Sequence, residues 1–262
     1  MSVKTDSSGN RYVELEFEVP GTPEQVWRAI ATGPGISSWF VPTEVEEREG
    51  GALMFHLGPG MDSAGIVTGW EPPRRFTYEE RDWSPNAPPL ATELLVEARS
   101  GGTCVVRMVH SLFTSSEEWD DQMEGFEAGW PPFIDILRLV LTHYTDQPCA
   151  SFRLMGTVAG SEAEAWDVLK SALGENRQTP PFAGTIERTG REKSPHEILF
   201  RLNEPAPGIA LMGVYSWGGQ VHALISFYLF GDQASAVAAR VEPLWQAWMN
   251  ETFAPTAVEE PS

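Results

Sequence analysis

The sequence of 262 residues predicts an α+β protein with two similar halves, each made of an antiparallel sheet and a closing helix. Three observations predict this fold. Short strand-like segments follow one another with brief turns, a long amphipathic helix comes after them, and the same order of elements then begins again. Strands joined by short hairpins form antiparallel sheets, and the long helix is the one large partner that the first sheet can pack against.

The first elements are a strand and two short helices. Residues 12–19 alternate apolar and acidic side chains, which predicts a strand with one buried face. A proline-glycine pair ends this strand. Thr22 then offers an N-cap with Pro23 at the first helical position, so a short helix follows directly. The Gly-Pro-Gly segment at 33–35 breaks this helix, and residues 36–40 can form another helical turn.

Six further strands are expected between these helices and the long helix. Turns that contain glycine or proline separate them, which is typical of successive hairpins. Their approximate ranges are 41–48, 51–58, 63–71, 75–83, 91–99 and 103–113.

A long amphipathic helix is predicted from residue 115 to residue 144. Eight large apolar side chains alternate at spacings of four and three, which places them on one helical face: Trp119, Met123, Phe126, Trp130, Phe133, Leu137, Val140 and Tyr144. Ser115 and Glu118 have the spacing of a capping box. Pro131 disfavours helical geometry at the preceding Trp130, so we expect a kink there, with Pro131 opening a second segment.

An internal repeat predicts the second half. Residues 15–30 align with residues 154–169 at an offset of 139, with four identities in sixteen positions. Chance similarity between two α+β halves is the alternative explanation. Strands near 182–189, 196–204, 208–217 and 220–230 and a helix over 233–253 repeat the order of the first half. The resulting divisions are a first domain at 1–145, a shorter second half at 150–253 and a disordered tail at 254–262.

The composition excludes several classes of partner. A net charge of -19 and a pI near 4.6 disfavour nucleic acid and anionic membranes, because phosphate groups would be repelled. No apolar run reaches the roughly 20 residues of a membrane span, and residues 1–11 lack an apolar signal segment, so we expect a cytoplasmic protein. The two cysteines and five histidines have no metal-ligand spacing. We therefore expect neither a metal nor a cofactor.

Several short motifs together resemble one known family. They are GTPEQVWRAI, SWF at 38–40, GG at 50–51, EPPRRFTY at 71–78, GGT at 101–103, VRMVHS at 106–111 and GW at 129–130. In order and spacing they resemble the SRPBCC superfamily (START and birch-pollen-allergen-like proteins), in the branch related to the activator of the heat-shock chaperone ATPase. The resemblance covers residues 11 to 145. It implies a helix-grip fold, in which a curved antiparallel sheet wraps around a long C-terminal helix and encloses a cavity.

The chain departs from the family pattern directly after EPPRRFTY. Members of the family normally have an aromatic-containing end to this strand, where this chain has Glu79, Glu80 and Arg81. The lining of the predicted cavity should therefore differ along this strand.

The candidate site residues come from the long helix and the strands that face it. His110 is the candidate catalytic acid or base, since its ordinary pKa lies near 6.5. The candidate ligand-binding residues are Trp130, His110, Trp119, Phe126, Phe133, Arg107 and Trp83. Arg107 and His110 alternate along one strand, and the pattern does not say which of them faces inward. The alternative roles are core packing for the aromatic residues and an ion pair with a neighbouring acid, such as Glu80 or Glu93, for Arg107.

Three functions are compatible with these residues. The first is binding of a hydrophobic or lipid-like small molecule in the cavity, without catalysis. The second is a polyketide cyclase-type enzyme that uses the same pocket, and the third is a co-chaperone that acts on a heat-shock chaperone ATPase. The partners that we consider are accordingly a hydrophobic small molecule, a chaperone and a second copy of the chain in a homodimer.

Overall fold

The computed structural model describes residues 3–58, 61–81, 83–174, 179–192, 194–217 and 219–253. It divides the chain into two compact units, Met1–Asp146 and Gln147–Ser262. Each unit contains an antiparallel sheet and a closing helix, so the predicted α+β helix-grip class with a shorter second copy is confirmed. The tail that we expected to be disordered, residues 254–262, lies outside the described residues.

In the described part of the first unit there are eight strands and three α-helices. Its strands are β1 (Lys4–Thr5), β2 (Arg11–Pro20), β3 (Thr43–Val45), β4 (Ala52–His56), β5 (Asp62–Glu71), β6 (Arg75–Glu80), β7 (Leu90–Arg99) and β8 (Thr103–Leu112). Its helices are α1 (Pro23–Ala31), α2 (Gly33–Ser37) and α3 (Asp120–His143). The strands form one sheet in the order β1-β2-β8-β7-β6-β5-β4-β3, with antiparallel pairing throughout. Only the short β1 was not predicted.

The start of α1 agrees with the sequence prediction. Thr22 is its N-cap and accepts a hydrogen bond from the backbone N–H of Gln25, while the Gln25 side chain accepts one from the backbone N–H of Thr22. This reciprocal capping box, together with Pro23 at the first helical position, satisfies backbone donors that the first turn would otherwise leave unpaired.

The long helix α3 differs from the prediction at its start. Ser116, rather than Ser115, caps a 3-10 turn at Glu117–Trp119, and its hydroxyl accepts from the N–H of Glu118. The α-helix proper then begins at Asp120. The predicted capping box was wrong because the chain enters the helix through this tighter turn, which satisfies the first donors locally.

The prediction of a second helical segment at Pro131 was also wrong. The helix α3 continues through Pro131 and Pro132 to His143. Two prolines in succession remove two intrahelical hydrogen-bond donors. The apolar face offsets this loss, because Met123, Ile136 and Leu137 are fully buried on both sides of the proline pair.

The strands of the first unit alternate between a buried and a half-exposed face. On β8 the even-numbered residues, including Met108 and His110, are buried, while the odd-numbered ones, including Arg107, are half-exposed. On β2 the inward side chains are Val13, Leu15, Phe17 and Val19. The helix α3 packs against this same inner face. The buried face of the sheet is therefore the face that carries His110.

The second unit has the same plan with fewer elements. It contains β9 (Cys149–Val158), α4 (Glu162–Leu173), β10 (Ala183–Thr189), β11 (Glu197–Glu204), β12 (Gly208–Trp217), β13 (Gln220–Phe230) and α5 (Ala234–Thr252). Its sheet has the order β10-β11-β12-β13-β9. Ser161 and Glu164 form a capping box at α4, at the repeat offset from Thr22 and Gln25. Trp245 of α5 is fully buried, and its ring centroid lies 5.0 Å from that of Phe227 on β13.

Two further properties concern the whole described chain. None of the helices within the described ranges is long and apolar enough to cross a membrane. Cys104 and Cys149 are both free thiols, the first buried and the second half-buried.

Candidate functional site

A cavity of about 260 Å³ lies in the first unit between α3 and the inner face of the sheet. This volume is slightly below the range of about 300–1,000 Å³ that is common for small-molecule pockets. Seven of its lining residues are aromatic: Phe40, Phe55, Tyr78, Trp83, Phe126, Trp130 and Phe133. The others are Leu57, Ser63, Glu80, Leu90, His110, Gly125 and Gly129. A cavity of this size and lining fits a small, largely apolar molecule.

The wall beside α2 is made by the Ser-Trp-Phe motif. The indole N–H of Trp39 donates to the carbonyl of Ala29 over 2.9 Å, and Trp39 is buried. This contact fixes the backbone so that the next residue, Phe40, reaches the cavity. The ring of Phe40 lies 4.9 Å from those of Trp130 and Phe133, between ring centroids. Aromatic side chains at these separations pack favourably, so this wall is stable without a ligand.

His110 is held by two side chains at the cavity wall. The indole N–H of Trp130 on α3 donates to Nε2 of His110 over 2.7 Å. Because an indole can only donate, the proton of the neutral imidazole resides on Nδ1, which lies 2.9 Å from the hydroxyl oxygen of Thr92 and donates to it. Thr92 stands opposite His110 in the register of β7 and β8. Both ring nitrogens of His110 are therefore engaged within the protein.

Burial keeps His110 uncharged. The side chain is 4% exposed, and burial lowers its pKa to about 4. Beside it, burial raises the pKa of Tyr78 far above its ordinary value, an effect that Glu80 increases and a hydrogen bond with Thr92 reduces. At neutral pH His110 and Tyr78 thus present neutral polar groups to the cavity.

Glu80 is the one carboxyl group among the described residues that line the cavity. It ends β6, where alternation places it on the same face as Phe76 and Tyr78. Ser63 on β5 donates a hydrogen bond to Oε1 of Glu80. Burial raises the pKa of Glu80, and the Ser63 hydrogen bond opposes that shift.

A glycine makes room for this carboxyl group. Gly65 is the register partner of Glu80, and a Cβ atom at residue 65 would lie 3.3 Å from Cγ of Glu80 and 3.0 Å from a backbone oxygen. Any side chain at residue 65 would crowd Glu80.

Two glycines of α3 border the opening of the cavity. Gly125 and Gly129 are one helical turn apart, both are exposed, and a Cβ atom at either would meet nothing within 4 Å. A helical glycine costs about 1 kcal/mol of stability relative to alanine. Since close packing does not require glycine at either position, their structural effect is to leave the cavity wider at this point.

The structure brings together most of the site residues predicted from the sequence. Trp130, His110, Phe126, Phe133 and Trp83 all line the cavity. Trp119 lies one layer further out, with its ring centroid 5.7 Å from that of Trp83.

Arg107 does not belong to the site. Its side chain lies on the opposite face of β8 from His110 and donates a hydrogen bond to Glu14 on β2. Because successive residues of a strand lie on opposite faces of the sheet, residues 107 and 110 lie on different faces. We therefore remove Arg107 from the candidate ligand-binding residues. Its side chain has the alternative role, an ion pair with a neighbouring acid, and that acid is Glu14.

Sequence reasoning missed nine of the lining residues: the apolar or aromatic Phe40, Phe55, Leu57, Tyr78 and Leu90, and also Glu80, Ser63, Gly125 and Gly129. Glu80 could have been found from its alternation with Phe76 and Tyr78. Ser63 carried no such signal, because its place depends on the register between β4, β5 and β6. Helical spacing assigns Gly125 and Gly129 to the cavity only when the inner face of α3 is already known.

No group of three or more metal-binding side chains is found within the described part of the chain. The chemistry that the cavity can offer is consequently that of aromatic surface, one carboxyl group and a few neutral hydrogen-bonding groups.

The comparison with protein families matches the first unit. Residues 20–142 match the model of the family described as "Activator of Hsp90 ATPase homolog 1-like protein". No curated protein sequence matches the chain.

Some of the similar solved structures cover about half of this chain, and others cover almost all of it. The crystal structure of CalU16 from Micromonospora echinospora is 22% identical, covers 53% of this chain and 80% of its own, and has a TM-score of 0.42. The di-domain ARO/CYC protein BexL from the BE-7585A biosynthetic pathway is 13% identical, covers 96% and 100%, and has a TM-score of 0.47. DynU16, from the dynemicin biosynthetic locus, is 15% identical, covers 92% and 97%, and has a TM-score of 0.45.

Proposed function

Because the first unit of this chain belongs to the SRPBCC superfamily, in the branch related to the activator of the chaperone ATPase, we propose that it binds a hydrophobic small molecule. The binding site is the cavity between α3 and the sheet. The single observation that carries this proposal is the cavity itself, of about 260 Å³ and with aromatic residues as half of its lining.

The physical basis of binding is the transfer of apolar ligand surface from water to this lining. Each square ångström of apolar surface removed from water contributes roughly 25 cal/mol. The walls are already packed by contacts such as those of Phe40 with Trp130 and of Trp83 with Phe126. A ligand therefore enters a largely preformed site and orders few protein side chains.

The arrangement of polar groups favours binding over catalysis by His110. Both nitrogens of its imidazole are bonded to protein groups, and its pKa of about 4 leaves it neutral near pH 7. We infer that His110 positions Trp130 through their hydrogen bond. In the cyclase-type alternative, Glu80 would be the better placed proton donor or acceptor.

The test uses the full chain and isothermal titration calorimetry with 1-naphthylmethanol, a neutral fused-ring probe. The blocking variant is Gly129→Leu, which fills the opening with a side chain that meets no protein atom at its Cβ. The matched control is Ala128→Leu, an exposed neighbour on the same helix that does not line the cavity. Leucine is a better helix former than glycine, so the blocking variant should not be destabilised.

We expect Gly129→Leu to weaken binding about tenfold or more, because a leucine displaces apolar contacts worth about 1.5 kcal/mol. Ala128→Leu should leave the affinity within about twofold. Equal affinities for the two variants, or no binding to the unmodified chain, would rule out this cavity as the site.

Native mass spectrometry of protein purified under mild conditions separates the alternatives. A copurified small molecule that is released with an unchanged mass after incubation supports binding without catalysis. A molecule recovered with an altered mass, such as the loss of water that accompanies an aldol cyclisation, supports the cyclase-type enzyme. Capture of a chaperone ATPase in place of a small molecule supports the co-chaperone role.

A further inference from the structure

Glu80 is a buried carboxyl group with a single protein partner. It is 8% exposed, and its one hydrogen bond within the described residues is the one that Ser63 donates to Oε1. The other oxygen, Oε2, has no hydrogen-bond partner within the described residues. Since the residue lines the cavity, this free acceptor is available to a molecule that occupies it.

Among the described residues that line the cavity, none carries a positive charge that could pair with this carboxyl group. The described residues that line the cavity include no lysine and no arginine. The nearest basic residue along the chain, Arg81, is exposed and donates to Glu79 over 2.7 Å, on the outer face of the strand. In the described lining, the titratable groups beside Glu80 are Tyr78 and His110, and both are neutral near pH 7.

A buried carboxyl group without a cation is energetically unfavourable. Loss of hydration penalises its charged form, and a nearby opposite charge compensates for that penalty. The described lining residues do not supply this charge at Glu80. A ligand that carried a positive charge would supply it and would form a charge-assisted hydrogen bond with the free oxygen.

The aromatic lining also suits a cation. The faces of tryptophan, tyrosine and phenylalanine rings attract positive charge, most strongly where water is excluded. Tyr78, Phe55 and Trp83 line the cavity together with Glu80. Cages of aromatic rings are a common means by which proteins bind organic ammonium groups.

We propose that the natural ligand of the cavity is a hydrophobic amine, whose ammonium group binds Glu80 while its apolar part packs among the aromatic side chains of α3 and the sheet. This inference rests on the proposed ligand-binding function and specifies the class of ligand. It also gives a role to Glu80, which lies where other members of the family have an aromatic-containing end to this strand.

The same geometry disfavours anionic ligands. A carboxylate or phosphate head group in the cavity would lie near Glu80, and the described part of the lining offers no basic side chain to neutralise it. The net charge of -19 adds to this repulsion at long range. Fatty acids and phosphorylated lipids should therefore bind worse than neutral molecules of the same shape.

The test compares three probes that share one ring system: 1-naphthylmethylamine, 1-naphthylmethanol and 1-naphthoate. Their affinities for the full chain are measured by isothermal titration calorimetry at pH 7 and about 0.15 M salt, where long-range attraction by the net charge is screened. We expect the amine to bind about tenfold more tightly than the alcohol, and the naphthoate to bind most weakly.

Two variants locate the preference. Glu80→Gln keeps the size of the side chain, and its amide oxygen can still accept the hydrogen bond from Ser63. This variant should bind the amine only as tightly as the alcohol. Glu79→Gln is the matched control, since it removes the same charge from the adjacent residue on the outer face of β6. It should leave the tenfold preference unchanged.

The outcomes separate this inference from the proposed function. If the alcohol binds and the amine binds no better, the cavity is a ligand site but the amine class is wrong. An amine preference that survives in Glu80→Gln also overturns the inference, because it would then arise from the overall charge. If none of the probes binds to the unmodified chain, both the ligand site and its amine specificity are rejected.

Discussion

The indole N–H of Trp130 donates to Nε2 of His110 over 2.7 Å, and the planes of the two rings differ by only 9°. This hydrogen bond joins α3 to β8 across one wall of the cavity. It positions the largest aromatic side chain of the helix and fixes the tautomer of the histidine. This hydrogen bond between helix and sheet therefore holds two lining residues of the candidate site in place.

The first prediction concerns the loss of this hydrogen bond. Trp130→Phe keeps an aromatic ring but removes the donor, which leaves Nε2 of the buried His110 without its partner. We expect the free energy of unfolding to fall by about 1–3 kcal/mol, measured by urea denaturation. Trp119→Phe is the control, because the indole of Trp119 makes no hydrogen bond within the described residues. If both variants lose the same stability, the hydrogen bond makes no specific contribution.

The second prediction is a pH dependence of stability that His110 causes. Its pKa is about 4 in the folded protein, below the ordinary value of 6.5, so the unfolded chain takes up the proton first as pH falls. The contribution of His110 to stability is complete above pH 6.5 and is lost as pH falls toward 4. The loss should total about 3 kcal/mol, from 1.36 kcal/mol per pH unit.

The corresponding measurement is the difference in unfolding free energy between the unmodified chain and His110→Gln at several pH values. Glutamine does not titrate, so the difference isolates the histidine. A difference that stays constant between pH 7 and pH 4 would show that His110 is not buried in its neutral form.

The third prediction concerns the glycines at the cavity opening. Gly125→Ala and Gly129→Ala should each raise the free energy of unfolding by up to about 1 kcal/mol, since the added methyl group meets no protein atom. The same variants should weaken the binding of 1-naphthylmethanol, because the methyl groups narrow the opening. Greater stability with unchanged or tighter binding would mean that ligand binding does not require glycine at the cavity opening.

The fourth prediction is a pH dependence of amine binding. Burial raises the pKa of Glu80 above 4.5, and a bound ammonium group would lower it again by favouring the ionised form. Binding therefore releases a proton wherever Glu80 is protonated in the free protein. The affinity for 1-naphthylmethylamine should rise as pH increases from about 4.5 toward neutrality, by up to tenfold per pH unit.

The control for this dependence is Glu80→Gln, in which the affinity for the amine should not vary over the same interval. His110 has a pKa of about 4, so it gains a minor fraction of positive charge only at the acidic end of this window, and Tyr78 titrates far above neutrality. Any effect of His110 is common to the unmodified chain and to Glu80→Gln, so the difference between them reports Glu80. An affinity for the unmodified chain that falls with rising pH would contradict the role of Glu80.

Much of the fold could be predicted because local signals and tertiary packing agree. Thr22 and Pro23 mark a helix start, and the structure uses both. The alternation along β2 and β8 predicts one buried face, and the structure has it. The interruption at Pro131 was predicted from local preference alone. This prediction was wrong because burial of the apolar face of α3 on either side of the proline pair stabilises the helix by more than the lost backbone hydrogen bonds destabilise it.

The site could be predicted only in part. The aromatic stripe of α3 identified Phe126, Trp130 and Phe133, since helical spacing fixes their common face. The polar groups were harder to identify, because the contact between Ser63 and Glu80 depends on the pairing of two strands and on the glycine beside them. The choice between Arg107 and His110 likewise required knowledge of which face of β8 meets the helix.

The measurement that tests the central claim most directly is a titration of the ¹⁵N-labelled full chain with 1-naphthylmethanol, observed at its indole N–H signals by NMR. Trp130→Phe assigns the signal of Trp130 among those of the ten tryptophans. The ligand-binding account predicts a saturable shift of the Trp130 signal, since its indole lines the cavity, and no shift for the fully buried Trp245 of the second unit. A saturable shift at Trp245 with an unchanged Trp130 signal would contradict it.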